Sequence, residues 1–313
     1  MIRLRGASVA AALLVDALFR EPPEALHPTV LMGRAVLMFE RRVLALEGAR
    51  RMRLAGLFLA VTLPALSFGL ARTALRLAPP KLRHPFEIGL LSTTLSMQGL
   101  SRAALAVERE LESGDLKAAR ARVRELVGRD TAHLSPGEVA RAAVESVAEN
   151  TSDGVVAPML YGLLWGAPGA LAYKAVNTLD SMVGHPQPPY GDLGWASARL
   201  DDLANLLPAR LTALFAAGVS ARRAATLTAA RRYGPRTKSP NAGWAEAAFA
   251  GALGLKLGGA NWYGGVLRRG PILGSGRPPE AADIRLAVRL MRRTCLLFAG
   301  LALAATTLLG RTP

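Results

Sequence analysis

The chain has 313 residues, 51% of them hydrophobic and 20% charged, with a mean hydropathy of +0.24. That composition excludes a disordered tail, a collagen and a disulfide scaffold, and the single cysteine, Cys295, excludes an internal disulfide or a cysteine-rich metal site. The net charge of +16 is uneven: residues 108–202 hold 14 acids and 9 bases, a balance of −5, and the rest carries +21. A basic frame around an acidic middle suits either nucleic-acid binding or a membrane protein with Lys and Arg on its cytoplasmic side, and the positive hydropathy favours the membrane.

Taken in chain order, Gly6–Val15 is apolar but short, ends at Asp16, and has no small-residue cleavage site after it, so it reads as neither a confident span nor a signal peptide. Leu54–Ala71 is uncharged and bracketed by Arg53 and Arg72, as a spanning helix of about 20 apolar residues requires. Ile88–Ser101 is a shorter candidate. Glu108–Ala148 reads as polar amphipathic helices joined at Ser113-Gly114 and Leu134-Ser135-Pro136. Ser135 is an N-cap, with Pro136 at the first helical position and Glu138 three residues on. Val155–Tyr173 is uncharged but interrupted by Pro158, Gly162, Gly166, Pro168 and Gly169. Leu211–Ala221 is short and follows Pro208 and Arg210. Pro271–Pro279 is a Gly/Pro loop, and Thr294–Gly310 is a last apolar segment.

Five crossings put 31 Lys and Arg inside and 8 outside, a strong inside bias. Three crossings with Val155–Tyr173 and the next segment dipping in and returning fit equally well, because broken helices are tolerated where they line a cavity. The expected fold is mainly α: a polytopic helical membrane protein with broken or re-entrant helices and cytoplasmic loops. The expected organisation is a single helical membrane domain over 1–313, in which 222–293 is a basic Gly/Pro-containing cytoplasmic loop region.

Polar strings at the ends of apolar segments are where chemistry is expected. Glu145 and Glu149 share a helix face, and Asn150, Thr151, Ser152, Asp153 and Gly154 follow. Beyond Tyr173 come Lys174, Asn177, Asp180 and Ser181 at helical spacing. Then come Arg199, Asp201, Asp202 and Asn205. Carboxylate and amide oxygens at such spacings suit Mg²⁺, held by one or two carboxylates plus substrate phosphates, and the metal ligands expected are Asp180 and Asp202. Lys174, Arg199 and Arg129 can supply phosphate contacts. Helix caps and ion pairs at a membrane rim are the structural alternative. Around Ser239, Asn241 and Trp244, and on through Gly251, Gly254, Gly258 and Gly259, small residues recur so densely that the backbone must pack closely on another helix or a flat ligand. His27, His84, His133 and His185 are scattered without metal-ligand spacing; His27 has the most suggestive neighbours.

Several of these strings resemble signatures of the adenosylcobinamide-phosphate synthase family, the membrane cobinamide synthases of cobalamin (vitamin B12) biosynthesis. They are the strings from His27 to Arg34, Val127 to Thr131, Glu149 to Pro158, Lys174 to Gly184, Gly194 to Asn205 and Ser239 to Trp244. The resemblance runs in order from about residue 10 to 295. The sequence departs from the pattern at His185 (commonly Tyr), at Thr237-Lys238 (where a His is usual) and at Ala245 (usually Pro).

The resemblance implies an ATP-dependent amide ligase of the cytoplasmic membrane. It would join (R)-1-amino-2-propanol O-phosphate, or aminopropanol, to a propionate of adenosylcobyric acid, giving adenosylcobinamide phosphate. ATP and Mg²⁺ are the expected cofactors, the corrinoid and the amine the expected substrates, and other late cobalamin-pathway enzymes possible partners; no nucleic acid is expected. The carboxylates expected to be catalytic are Asp153, Asp180, Asp202 and Glu149. Those expected to bind substrate are Asn150, Lys174, Asn177, Arg199, Asp201, Asn205, Ser239, Asn241 and Trp244. Two other classes are open on the sequence. One is an intramembrane Mg²⁺-dependent prenyltransferase-like enzyme, for which Asn177-x-x-Asp180 and Asp201-Asp202-x-x-Asn205 superficially resemble paired acidic motifs. The other is a non-enzymatic corrinoid carrier or scaffold.

Overall fold

A computed structural model describes residues 5–19, 23, 25, 27–44, 48–185 and 187–309. In chain order the helices are α1 (Gly6–Leu18), α2 (Pro28–Val43), α3 (Ala49–Leu77), α4 (Pro80–Ser92), α5 (Met97–Glu112), α6 (Leu116–Arg124) and α7 (Pro136–Thr151). A π-turn (Ser152–Val156) leads into α8 (Ala157–Val183). Then follow α9 (Tyr190–Leu193), α10 (Trp195–Ala204), α11 (Leu206–Val219), α12 (Arg223–Tyr233), α13 (Ala242–Leu253), strands β1 (Leu257–Tyr263) and β2 (Val266–Leu273), and α14 (Ala281–Leu309). The protein is mainly α, as expected.

The chain divides into two compact units: Met1–Ser96 with Ala157–Asn205 and Ala299–Pro313, and Met97–Val156 with Leu206–Phe298. The first is organised on α3. Its buried stripe, Gly56, Leu59, Ala60, Leu63 and Ala71, packs with Leu171, Leu179 and Val183 of α8 and Met32 and Val36 of α2. The approach is close enough that a Cβ on Gly56 would lie 1.9 Å from the carbonyl oxygen of Leu193. The opposite face of α3 leaves Leu54, Phe58, Leu66 and Leu70 exposed.

Helix α8 is two helices. Gly166 stands at φ 72°, ψ −165°, a region open essentially to glycine alone. In a straight helix residues 161 and 169 would be about 12 Å apart. A Cβ on Gly169 would instead lie 2.7 Å from the Tyr161 carbonyl oxygen, and the rings of Tyr161 and Tyr173 stack with centroids 5.0 Å apart. The chain turns back on itself. Gly166→Ala would place a methyl group 2.3 Å from Glu87 Oε1 in a strained conformation, so it should destabilise the unit by about 2 kcal/mol or more. In a detergent melt it should lower the Tm by several degrees, whereas Gly69→Ala, with nothing within 4 Å of the new methyl, should not.

Among the described residues two helical stretches are long and apolar enough to cross a membrane: Ala49–Leu77, with a mean hydropathy of 2.0 over its most apolar window, and Pro136–Val183, at 1.4. The second length includes the reversal at Gly166, so it is not one straight span. The predicted segment Ile88–Ser101 is not a single helix: it breaks at Thr93–Ser96 between α4 and α5. Thr294–Gly310 falls in α14, with Gly310 itself outside the described residues.

In the second unit the expected helix boundaries hold. Helices α5 and α6 part at Ser113-Gly114, with Gly114 at φ 81°. Ser135 caps α7, with Glu138 Oε2 accepting from the Ser135 backbone N–H at 2.8 Å. The dense small residues serve helix packing: a Cβ on Gly251 would meet the Ala225 carbonyl at 2.6 Å, on α12. The region 222–293 carries regular secondary structure. It contains α12, α13 and an antiparallel β-hairpin whose two-residue turn, Gly264-Gly265, has positive φ at both positions, as a type I′ turn requires.

Candidate functional site

Two chemical sites are built, one in each unit. In the first unit, α8 presents Lys174, Asn177, Asp180 and Ser181 on its second half, and α10 brings Asp201, Asp202 and the following Asn205. Asp201 is 9% exposed. Its Oδ2 accepts from Asn205 Nδ2 at 3.0 Å, and Asn205 Oδ1 in turn accepts from the Tyr173 hydroxyl at 2.8 Å. Asp201 Oδ1 is buried without a hydrogen-bond partner. Burial pushes the Asp201 carboxyl up to about 7, and the charge of Asp180 adds to the rise, against the hydrogen bond from Asn205.

Asp202, the neighbour, turns outward. It pairs at 3.2 Å with Arg199, whose side chain is 71% exposed. The glycines of the two strings shape this corner. A Cβ on Gly184 would lie 2.1 Å from Asp180 Oδ1, and one on Gly194 would lie 1.6 Å from the Val183 carbonyl oxygen.

Beside this cluster is a cavity of about 340 Å³ lined by His27, Thr29, Thr93, Thr94, Ser96, Lys174, Asn177 and Ser181, among others, and, among the described residues, by no carboxylate. Thr29 Oγ1 and His27 Nδ1 are 2.6 Å apart, and Lys174 Nζ donates to Asn177 Oδ1 at 3.2 Å. A cation among hydroxyls with no competing acid suits phosphate oxygens. The Thr93–Ser96 turn was not singled out from the sequence. A run of small hydroxyl residues between apolar stretches was the available signal.

In the second unit, α7 presents Glu145, Ser146 and Glu149 to a cavity of about 340 Å³, opposite Ser239, Glu246 and the hairpin residues Gly258, Asn261 and Tyr263. Glu145 Oε1 accepts from the Gly258 N–H at 2.7 Å, and its other oxygen is ion-paired with Arg129, which also donates to Asn261 Oδ1 at 2.6 Å. Arg129 is therefore committed within the protein rather than open to a phosphate. Burial, then the charges of Glu145 and Glu149, push the half-buried Glu246 carboxyl well above its ordinary range. Arg129 lines the same cavity and holds Glu145, so Glu149 and Glu246 are the glutamates that face a cationic ligand there.

The remaining expected residues divide as follows. Asp153 lies in the π-turn of the second unit, a geometry that recurs at functional sites. Asn150 donates to the Ser146 carbonyl at 3.0 Å. Ser239 Oγ accepts from the Asn241 N–H at 3.2 Å and caps the start of α13. Asn241 and Trp244 both hold Arg210: Asn241 Oδ1 accepts from it at 2.7 Å, and its guanidinium lies 4.7 Å from the Trp244 ring centroid. His185 packs edge-on against Tyr190. Among the described residues no group of three or more His, Cys, Asp or Glu is placed to hold a metal by itself. Arg141, which donates to Asn261 at 2.9 Å, and Asn261 itself were not legible as site residues; they act across more than a hundred residues of chain.

Residues 9–291 match the family model described as CobD/Cbib protein. The chain is 44% identical to the cobalamin biosynthesis protein CobD of Geobacter metallireducens, over 98% of each chain. It is 42% identical to the protein of that name from Klebsiella pneumoniae, over 90% of this chain and 91% of the other. It is 40% identical to the cobalamin biosynthesis protein CbiB of Salmonella typhimurium, over 94% of this chain and 95% of the other. No solved structure matches.

Proposed function

Since the chain belongs to the CobD/CbiB family, we propose that it acts in cobalamin biosynthesis as a membrane-bound, ATP-dependent amide ligase. It joins (R)-1-amino-2-propanol O-phosphate, or aminopropanol, to a propionate carboxylate of adenosylcobyric acid. The observation that carries the reading is the buried Oδ1 of Asp201, without a hydrogen-bond partner, in the unit that also holds the Lys174 cavity. A carboxylate oxygen kept dry and unbonded is costly unless a cation completes it.

The fit to Mg²⁺ is partial, and informative for that reason. Three aspartates crowd each other, yet no group of them can hold a metal alone. Mg²⁺ with ligand phosphates supplies what is missing, since it is usually held by one or two carboxylates and completed by phosphate oxygens and water. Asp180 and Asp201 Oδ1 would hold it, and Asp202, expected from its spacing to be a ligand, is instead paired with Arg199 at the edge of the cluster. When bound, Mg-ATP supplies the activation that a carboxylate needs before an amine can displace one of its oxygens. Lys174, Thr29 and Ser96 bind phosphate oxygens. Asn205, itself held by Tyr173, keeps Asp201 in place. In the second unit, the cavity of Glu149 and Glu246 has the chemistry to hold an ammonium group, with Glu149 able to accept a proton. Ser239 contributes a hydroxyl to that cavity, and Asp153 closes the string that begins at Glu149.

Placement in the cytoplasmic membrane, with 222–293 on the cytoplasmic side, is supported by the apolar length of α3 and by the 14 basic and 3 acidic residues of that region. The ligase reading is tested by incubating the purified chain with adenosylcobyric acid, ATP, Mg²⁺ and each amine, and weighing the corrinoid product. An amide that forms only when all four are present is expected. Prenyl diphosphate turnover, or corrinoid binding with no product, would replace the reading.

Metal binding has a readout of its own. Adding Mg²⁺ should raise the Tm of the detergent-solubilised chain, and EDTA should reverse the rise, because the cation relieves repulsion among Asp180, Asp201 and Asp202. Asp180→Asn should remove most of the shift. A shift unchanged in that variant would move the metal elsewhere.

A further inference from the structure

At the far end of α3 from Arg53 lies a cavity of about 520 Å³ in the first unit. Its polar wall is Arg5, Arg72, Arg76, Arg83 and Glu87. The single carboxylate is taken: Glu87 pairs with Arg5 at 3.4 Å. Arg83 is taken as well, donating to the carbonyls of Leu75 at 2.9 Å and Arg76 at 3.3 Å, where α3 ends. Arg72 and Arg76 are exposed and have no acidic partner among the described residues. The other wall is apolar, formed chiefly by Phe68, Leu75 and Trp165, the last 45% exposed.

Depth identifies the ligand. The 18 uncharged residues Leu54–Ala71 rise about 27 Å as a helix, close to the roughly 30 Å of a bilayer's hydrocarbon layer. Arg53 and Arg72 therefore mark the two headgroup levels, and the cavity opens at one of them. Along the same helix Leu66 and Leu70 point outward, exposed by 60% and 69%, and give a lipid tail a surface to follow. An exposed tryptophan at that level is the residue that membrane interfaces favour. Two uncompensated guanidiniums over apolar walls, at headgroup depth, match a phosphate that carries acyl chains.

We infer that this cavity binds the phosphate of an anionic phospholipid, held by Arg72 and Arg76 with its chains along α3. The site is separate from the two described above; it rests on α3 crossing the membrane, as proposed above, and not on the ligase reading.

The full chain, purified in a neutral detergent, is titrated with phosphatidylglycerol, phosphatidylcholine or inorganic phosphate while melting is followed. Phosphatidylglycerol should raise the Tm saturably, and the other two should not. Each basic residue near an anionic surface contributes about a fivefold gain in affinity. Arg76→Gln alone should thus weaken the response roughly fivefold, and Arg72→Gln with Arg76→Gln on the order of tenfold or more. Lysine at both positions should keep most of the response, and Arg109→Gln with Lys117→Gln, elsewhere on the chain, should leave it unchanged. Undiminished phosphatidylglycerol affinity in Arg76→Gln would overturn the assignment. A shift reproduced by inorganic phosphate would make this a site for a soluble anion.

Discussion

Asp201→Asn should lower the rate of amide formation about a thousandfold, with the protein accumulating normally in membranes. The two halves of this expectation have separate causes. Asp201 is buried, and its carboxyl is pushed up to about 7, so the ionised form is the one the fold disfavours. A neutral amide of the same shape relieves that strain and can still accept from Asn205, so folding should not suffer. The activity loss follows from removing a buried carboxylate oxygen that has no hydrogen-bond partner among the described residues. Asp202→Asn is the comparison. Its carboxylate is partly occupied by an exposed pair with Arg199 that contributes roughly 0–1 kcal/mol. That change should cost about tenfold or less in rate. The check is product formation per milligram of membrane protein for both variants. If Asp202→Asn were the more damaging, the outward-facing carboxylate would be the working one.

The largest effect on stability should come from Arg129→Ala. Arg129 and Glu145 are ion-paired with side-chain exposures of 8% and 7%, and Arg129 also donates to Asn261 at 2.6 Å. Removing one partner of a buried pair costs about 3–5 kcal/mol, and the lower end applies because Arg141 remains 3.9 Å from Glu145. Native stability is only about 5–15 kcal/mol, so little folded protein should accumulate. Arg129→Lys keeps the charge but loses the two-pronged contact to Glu145 and Asn261, and should be intermediate. Adding Glu145→Gln to Arg129→Ala should recover part of the loss, because the buried charge goes while the acceptor for the Gly258 N–H remains. Melting of the detergent-solubilised variants measures all three. An Arg129→Ala variant melting within about 2 °C of the parent would show that the pair is dispensable.

The parts of the fold carried by local chemistry were legible in the sequence. The Ser135-Pro136 start of α7 needs only a capping hydroxyl, a proline and Glu138, all within four residues. The break in α8 was signalled by Gly166 among prolines and glycines, although a glycine alone does not say whether a helix kinks or reverses. The contacts of Tyr161 with Gly169 and Tyr173 decide that, and they are tertiary. The hairpin was missed because positive φ at Gly258 and Gly259 interrupts the alternation that marks a strand; the Gly264-Gly265 turn between aromatic and apolar residues was the usable signal.

The site shows the same limit. Helical spacing joined Lys174 to Asn177, and Asp201 and Asp202 to Asn205. It could not say which aspartate points inward, since adjacent residues differ by about 100° around a helix and only the surroundings choose. The glutamate cavity depends on Glu145 reaching Gly258, 113 residues away, which no spacing rule reaches.

The most direct test of the ligase proposal is a count of nucleotide consumed against amide formed. The purified chain is supplied with adenosylcobyric acid, the amine and Mg-ATP, and both products are quantified in the same samples over time. One ATP should be consumed for each amide, with neither reaction proceeding when the amine or the corrinoid is left out. Amide formed without nucleotide consumption, or ATP consumed at the same rate without the corrinoid, would contradict the assignment.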